Sequence, residues 1–118
     1  MTRVMVTGGR DWADETSIRL ALGALQIAPP VTLIHGDCLG ADRIAARVAL
    51  TLGWSVRAYP ADWKRFPDDA ALRRNRQMVD TKPDYVVAFP TRRSRGTWHA
   101  VGLARDLGLR VIVVEAVG

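Results

Sequence analysis

Short apolar runs alternate with amphipathic stretches along the whole chain. Arg3–Thr7, Val31–His35, Ser55–Tyr59, Asp84–Phe89 and Arg110–Glu115 are brief, rich in β-branched residues and bounded by polar or proline-containing turns. That is the pattern of strands buried in a parallel sheet. The intervening stretches carry a helical period. Ala41, Ile44, Ala45, Val48 and Leu52 trace one apolar stripe that ends at Gly53, a natural helix stop. A helix from about Asp14 to Leu25 aligns Ile18, Leu22 and Leu25, and one over about Gly96–Leu107 turns Ala100, Leu103, Ala104 and Leu107 inward. A fourth, from about Asp68 to Asp80, has the weak stripe Leu72, Met78 and Val79, which predicts partial exposure.

Parallel strands joined by helices need right-handed crossovers, with helices on both faces of the sheet. The pattern therefore predicts an α/β chain folded as a single Rossmann-like three-layer domain over residues 1–118, with a five-stranded parallel sheet of order 3-2-1-4-5. The first and fourth strands then flank the switch point, where a crevice opens at the carboxyl edge.

Three strands run into glycine-containing loops on that edge. They are Thr7-Gly8-Gly9-Arg10-Asp11, then His35-Gly36-Asp37-Cys38-Leu39-Gly40-Ala41-Asp42, and, after Phe89, Pro90 through Ser94-Arg95-Gly96-Thr97. Glycine lets backbone amides approach a phosphate, and a helix amino end carries partial positive charge. Phosphate is expected on Gly8-Gly9 and Gly96-Thr97, with Arg10 and Arg95 as counter-charges and the Thr7 hydroxyl alongside. Asp42 either accepts from a ribose hydroxyl or caps its helix. No catalytic residue is assigned; for any chemistry at the site Asp42 is a weak candidate, with Asp11 and Asp62 as alternatives. His35 either contacts the ligand or satisfies a local hydrogen bond. Arg73, Arg74 and Asn75 are adjacent on a helix, so only one or two of them lean over the crevice. Asp62 and Trp63 follow the third strand. With Trp12 and Trp98 near the same edge, a base has aromatic faces on which to stack, unless these rings pack under the loops instead.

Composition narrows the partners. The net charge is +5, and 15 of the 17 basic residues are arginine, the better fork for phosphate, so an anionic partner is expected. One cysteine excludes an internal disulfide and a multi-cysteine zinc site. His35 and His99 lack partners at ligand spacing, so no metal site is expected beyond Mg²⁺ arriving with a phosphate ligand. The apolar runs fall short of a membrane span, and the amino end enters a strand pattern directly rather than a signal peptide. Cytoplasmic residence is the expectation.

Taken in order, Thr7-Gly8-Gly9-Arg10-Asp11, His35-Gly36 through Gly40-Ala41-Asp42, Pro60-Ala61-Asp62-Trp63, Arg73-Arg74-Asn75 and Phe89-Pro90 through Arg95-Gly96-Thr97 resemble the SLOG superfamily, in its YspA/YpsA-related branch. The resemblance spans nearly the whole chain. It implies a Rossmann-like domain that binds a nucleotide or nucleotide-derived ligand. Relatives in the superfamily include the LOG phosphoribohydrolases, which cleave nucleoside monophosphates, and DprA, which binds single-stranded DNA. The LOG pattern Pro-Gly-Gly-x-Gly-Thr-x-x-Glu is broken here. Pro90 is followed by Thr91-Arg92-Arg93-Ser94-Arg95, and Ala100 stands where the catalytic Glu would be. The usual carboxylate for an oxocarbenium-like transition state is therefore missing. Arg92, Arg93 and Arg95 add positive charge instead. A sensor or sequestering module is the leading expectation, a nucleotide hydrolase the second and a nucleic-acid binder the third. A homodimer, with Trp98 and the last helix supplying an apolar contact, is a further expectation.

Overall fold

The structure is a computed structural model that describes residues 1–116. Its elements run β1 Thr2–Gly8, α1 Glu15–Ala24, β2 Val31–His35, α2 Ala41–Thr51, β3 Ser55–Ala58, α3 Ala70–Asp80, β4 Tyr85–Phe89, α4 Arg95–Asp106 and β5 Val111–Val113. All neighbouring strands pair in parallel, in the order β3-β2-β1-β4-β5. The expected α/β architecture is the one observed.

Alternation along β1 divides the core. Val4 and Val6 point to one face, where they meet Ile18 and Leu22 of α1 and Ile44, Ala45 and Val48 of α2. Met5 points to the other face and joins Met78 and Val79 of α3 with Ala100 and Ala104 of α4. The period of two in a strand makes a single central strand serve both layers. Each crossover then delivers its helix to the face that strand parity has left apolar.

Element ends depart from expectation where the stripe outruns the helix. Leu52 and Leu107 were expected to face inward but sit at the C-caps of α2 and α4, beyond the last full turn, and both are exposed. Leu72 is exposed as well, in keeping with the partial exposure expected of that helix. Asp68 and Asp69 stay in the loop before α3, which starts at Ala70. Trp12 is buried, not available for stacking. Its ring meets Phe89 edge-on with centroids 5.3 Å apart, and its indole N–H donates to the Asp14 carbonyl.

Candidate functional site

The loops after β1, β2, β3 and β4 meet at the carboxyl edge around a cleft of about 830 Å³. Twelve of the residues singled out in the sequence line it: Thr7 through Asp11 from the first loop, Asp42, Trp63, Arg74 and Asn75, and Arg95 through Thr97. A smaller lobe of about 290 Å³ opens beside it, with Gly36 in its wall. Arg10, Cys38, Trp63 and Arg74 line both spaces.

The first glycine loop is not a free phosphate cradle. The Gly9 amide donates to the Phe89 carbonyl at 3.0 Å, and the Gly9 carbonyl accepts from the Trp12 and Ala41 amides. Gly8 packs against Ala41 so closely that a side chain there would collide with it. These glycines let β1, β4 and the start of α2 approach one another. Phe89 and Ala41 are accordingly core residues rather than wall residues.

The second loop is closed by its own acid. Asp42, almost fully buried, accepts from the Gly36 amide at 2.9 Å and the Cys38 amide at 3.4 Å. Burial pushes its carboxyl up to about 6, against the pull of those two amides and of Arg74. His35 Nδ1 accepts from the Asp37 amide at 2.9 Å, and burial lowers the pKa of its ring. Gly40 sits at φ +76°, where a side chain would run into the Gly9 and Arg10 carbonyls. His35 and Gly40 thus shape the loop without lining the cleft.

Helix register separates the adjacent arginines of α3. Arg74 turns inward and is 8% exposed. Its guanidinium donates to the Gly36 carbonyl and to Asn75 Oδ1, with the Tyr59 carbonyl at 3.5 Å and Cys38 Sγ at 3.8 Å. Among the described residues no carboxylate lies within ion-pair distance of it. Arg73 turns outward, pairs with Asp69 at 3.0 Å and stacks on Phe66. Asn75 bridges α3 to α4 by donating to the Gly96 carbonyl at 3.1 Å, with His99 Nδ1 at 3.3 Å. Asp62 caps the turn at Arg65 through its amide. Arg73, Asp62 and Pro90 lie outside the cleft wall.

The third loop differs. Ser94 starts α4 without a side-chain cap bond; its hydroxyl accepts from the Thr91 amide at 2.6 Å. The first helical bond there runs from the Trp98 amide to the Ser94 carbonyl. The amides of Arg95, Gly96 and Thr97 therefore have no partner within the helix. They belong to cleft-lining residues, with Arg93 and Arg95 beside them. Asp11 Oδ1 accepts from the Thr91 hydroxyl at 2.6 Å, tying this loop to the first. That hydrogen bond, more than the nearby Arg93, holds the Asp11 carboxyl below its usual range. Sequence reasoning missed Leu72 and Met78, whose side chains give the cleft an apolar wall on α3. Their spacing on the weak stripe was the available signal. Ala100, at the position of the missing glutamate, is fully buried beneath α4 and faces the sheet rather than the cleft.

Fold and cleft together define a Rossmann-like α/β domain with a recess at its topological switch point. The YspA, cpYpsA-related SLOG family (YAcAr) matches residues 2–66, more than half of the chain. The chain is also similar to the Gene 61 protein of Mycobacterium phage D29, 37% identical over 119 residues that cover 95% of each chain. This protein belongs to the YspA, cpYpsA-related SLOG family. Among the described residues no helix is long and apolar enough to cross a membrane, and no group of three or more His, Cys, Asp or Glu side chains gathers as metal ligands would.

Proposed function

We propose that this protein binds a nucleotide or nucleotide-derived phosphorylated molecule in the cleft between β1 and β4, as a sensor or sequestering module. The observation that carries the reading is the open amino end of α4. Its first amides, without partners in the helix and flanked by Arg93 and Arg95, belong to residues lining a cleft that also offers an apolar wall at Leu72 and Met78. Amides and arginine suit a phosphate. The α3 wall and the exposed Trp63 ring suit a base. At about 830 Å³ the space is of ligand-binding size. Family membership supports a nucleotide-related role. Mg²⁺ would enter with the phosphate.

Calorimetric titration of the purified protein with nucleoside mono-, di- and triphosphates tests this reading. Saturable binding to at least one of them is expected. Folded protein that binds none of the panel overturns it. Chromatography of the same mixtures for free base and ribose phosphate separates binding from hydrolysis. For hydrolysis, Asp42 is the first carboxylate to replace. A single-stranded oligonucleotide, titrated at two salt concentrations, separates a small ligand from a nucleic acid, because phosphate-backbone binding weakens steeply with salt.

A further inference from the structure

The smaller lobe has a charge excess that the main cleft lacks. Its wall carries Arg10, Arg43 and Arg74 against one acid, Asp37, which Arg43 partly neutralises at 3.6 Å. The main cleft sets four arginines, Arg10, Arg74, Arg93 and Arg95, against four aspartates, Asp11, Asp42, Asp68 and Asp69. With Arg43 set against Asp37, the lobe's surplus rests on Arg10 and Arg74, which stand at its boundary with the main cleft. Arg74 stands on the dividing wall, more than nine-tenths buried and without a carboxylate partner among the described residues. A buried guanidinium hydrogen-bonded only to neutral groups, with Asp42 close enough to feel its charge but beyond ion-pair distance, favours an incoming anion. Gly36 is part of the same construction. A side chain there would occupy the space of the guanidinium, so glycine at that position lets the loop backbone close over Arg74 without displacing it. At about 290 Å³ the lobe is just below the size of an independent ligand pocket and fits a subsite.

We propose that this lobe is a second phosphate subsite, so that the ligand is a nucleotide with a second phosphate attached apart from the first, as in a nucleoside 3′,5′-bisphosphate. This rests on the nucleotide reading of the main cleft. One phosphate lies on the α4 amides beside Arg95. The sugar spans the wall formed by Trp63 and Arg74. The second phosphate meets Arg74, Arg10 and Arg43. A contiguous diphosphate concentrates its charge at one end and leaves the lobe unfilled.

The test is calorimetric titration with the 5′-monophosphates, 5′-diphosphates and 3′,5′-bisphosphates of adenosine and guanosine. It is run on the native protein and on Arg43→Ala, whose side chain is half exposed and whose loss leaves the core untouched. For at least one base, the bisphosphate is expected to bind at least tenfold tighter than the diphosphate. Arg43→Ala is expected to remove most of that advantage while weakening the monophosphate less than twofold. Equal affinity for bisphosphate and diphosphate overturns the subsite but leaves the main-cleft reading standing. So does an Arg43→Ala loss of the same size for all three ligands. Absence of binding by every compound overturns both.

Discussion

The amino ends of α2 and α4 open onto the same cleft, and the protein treats them in opposite ways. At α2 the Ala41 amide is taken by the Gly9 carbonyl, and the acid of the first turn, Asp42, folds back onto the Gly36 and Cys38 amides. At α4 the first turn has no acid, the Ser94 hydroxyl accepts from the Thr91 amide, and the following amides belong to residues that line the cleft. Both regions are glycine-containing loops running from a buried strand into a helix. In one, the loop amides ahead of the helix are taken by the chain's own carboxylate, which serves as a brace. The other keeps its partial positive charge for an external anion. Glycine content alone therefore does not mark a phosphate site. What marks it is whether the amides that glycine exposes already have partners.

The sharpest break in the comparison is at Gly40. Alanine there would adopt a left-handed backbone and press its Cβ into the Gly9 and Arg10 carbonyls. A loss of about 3 kcal/mol in folding stability is expected, read by urea unfolding. A loss below about 1 kcal/mol would show that the second loop is not a brace.

Asp42 comes next and acts through pH. Its native value of about 6 lies above the 3.8 of an unperturbed carboxyl, so the native state retains a proton that the unfolded chain releases. The resulting stabilisation is full below pH 3.8 and is lost as pH rises through 6. Above that, the buried charge costs about 3 kcal/mol relative to the neutral acid. His35 works in the opposite sense. Burial lowers its pKa below 6.5, so its contribution holds at higher pH and is lost as pH falls through the native value. Asp42→Asn removes the first effect and leaves the second. The variant is expected to be at least as stable as the native protein at pH 7.5 and to lose stability steadily down to pH 4.5. A variant weakened by about 2 kcal/mol at pH 7.5 would show that the bonds from Gly36 and Cys38 outweigh the cost of burying the charge.

Much of this architecture was legible because strand parity and helix period are local signals. Val4, Met5 and Val6 alone set which face each layer occupies, and the strand order follows from the crossovers. The convergence of the loops on one edge follows in turn. The use made of each loop was not legible. Nothing in Thr7-Gly8-Gly9 says that the Gly9 amide pairs with Phe89, because that bond joins positions 80 residues apart. The choice between Arg73 and Arg74 depends on about 100° of helix rotation, set by how α3 packs on α4 through Asn75 and Gly96. Trp12 looked available beside a loop, yet Phe89 from a distant strand claims its ring.

At the open end, Arg93→Ala and Arg95→Ala test binding rather than folding. Each removes a charge-assisted contact worth about 1.5–2 kcal/mol, so each is expected to weaken the best-bound nucleotide about tenfold without shifting the urea midpoint. Arg73→Ala, on the neighbouring helix but turned away from the cleft, is the control and should leave affinity unchanged. Loss of affinity in Arg73→Ala equal to that in Arg95→Ala would reduce the effect to net charge and remove the α4 site.

The smallest expected effect is the most discriminating. Gly96 occupies the first turn of α4, and a Cβ added there meets nothing within 4 Å. Alanine keeps the backbone amide and favours the helix by up to about 1 kcal/mol. Gly96→Ala is therefore expected to hold or slightly raise stability and to change nucleotide affinity less than about threefold, since the phosphate is held by an amide that alanine retains. Gly40 and Gly96 look alike in the sequence, each one residue from a helix start. Their alanine variants should differ by about 3 kcal/mol or more in urea unfolding. Equal losses at the two positions would mean that the α4 end is as tightly filled as the α2 end, and that no anion has room to reach its amides.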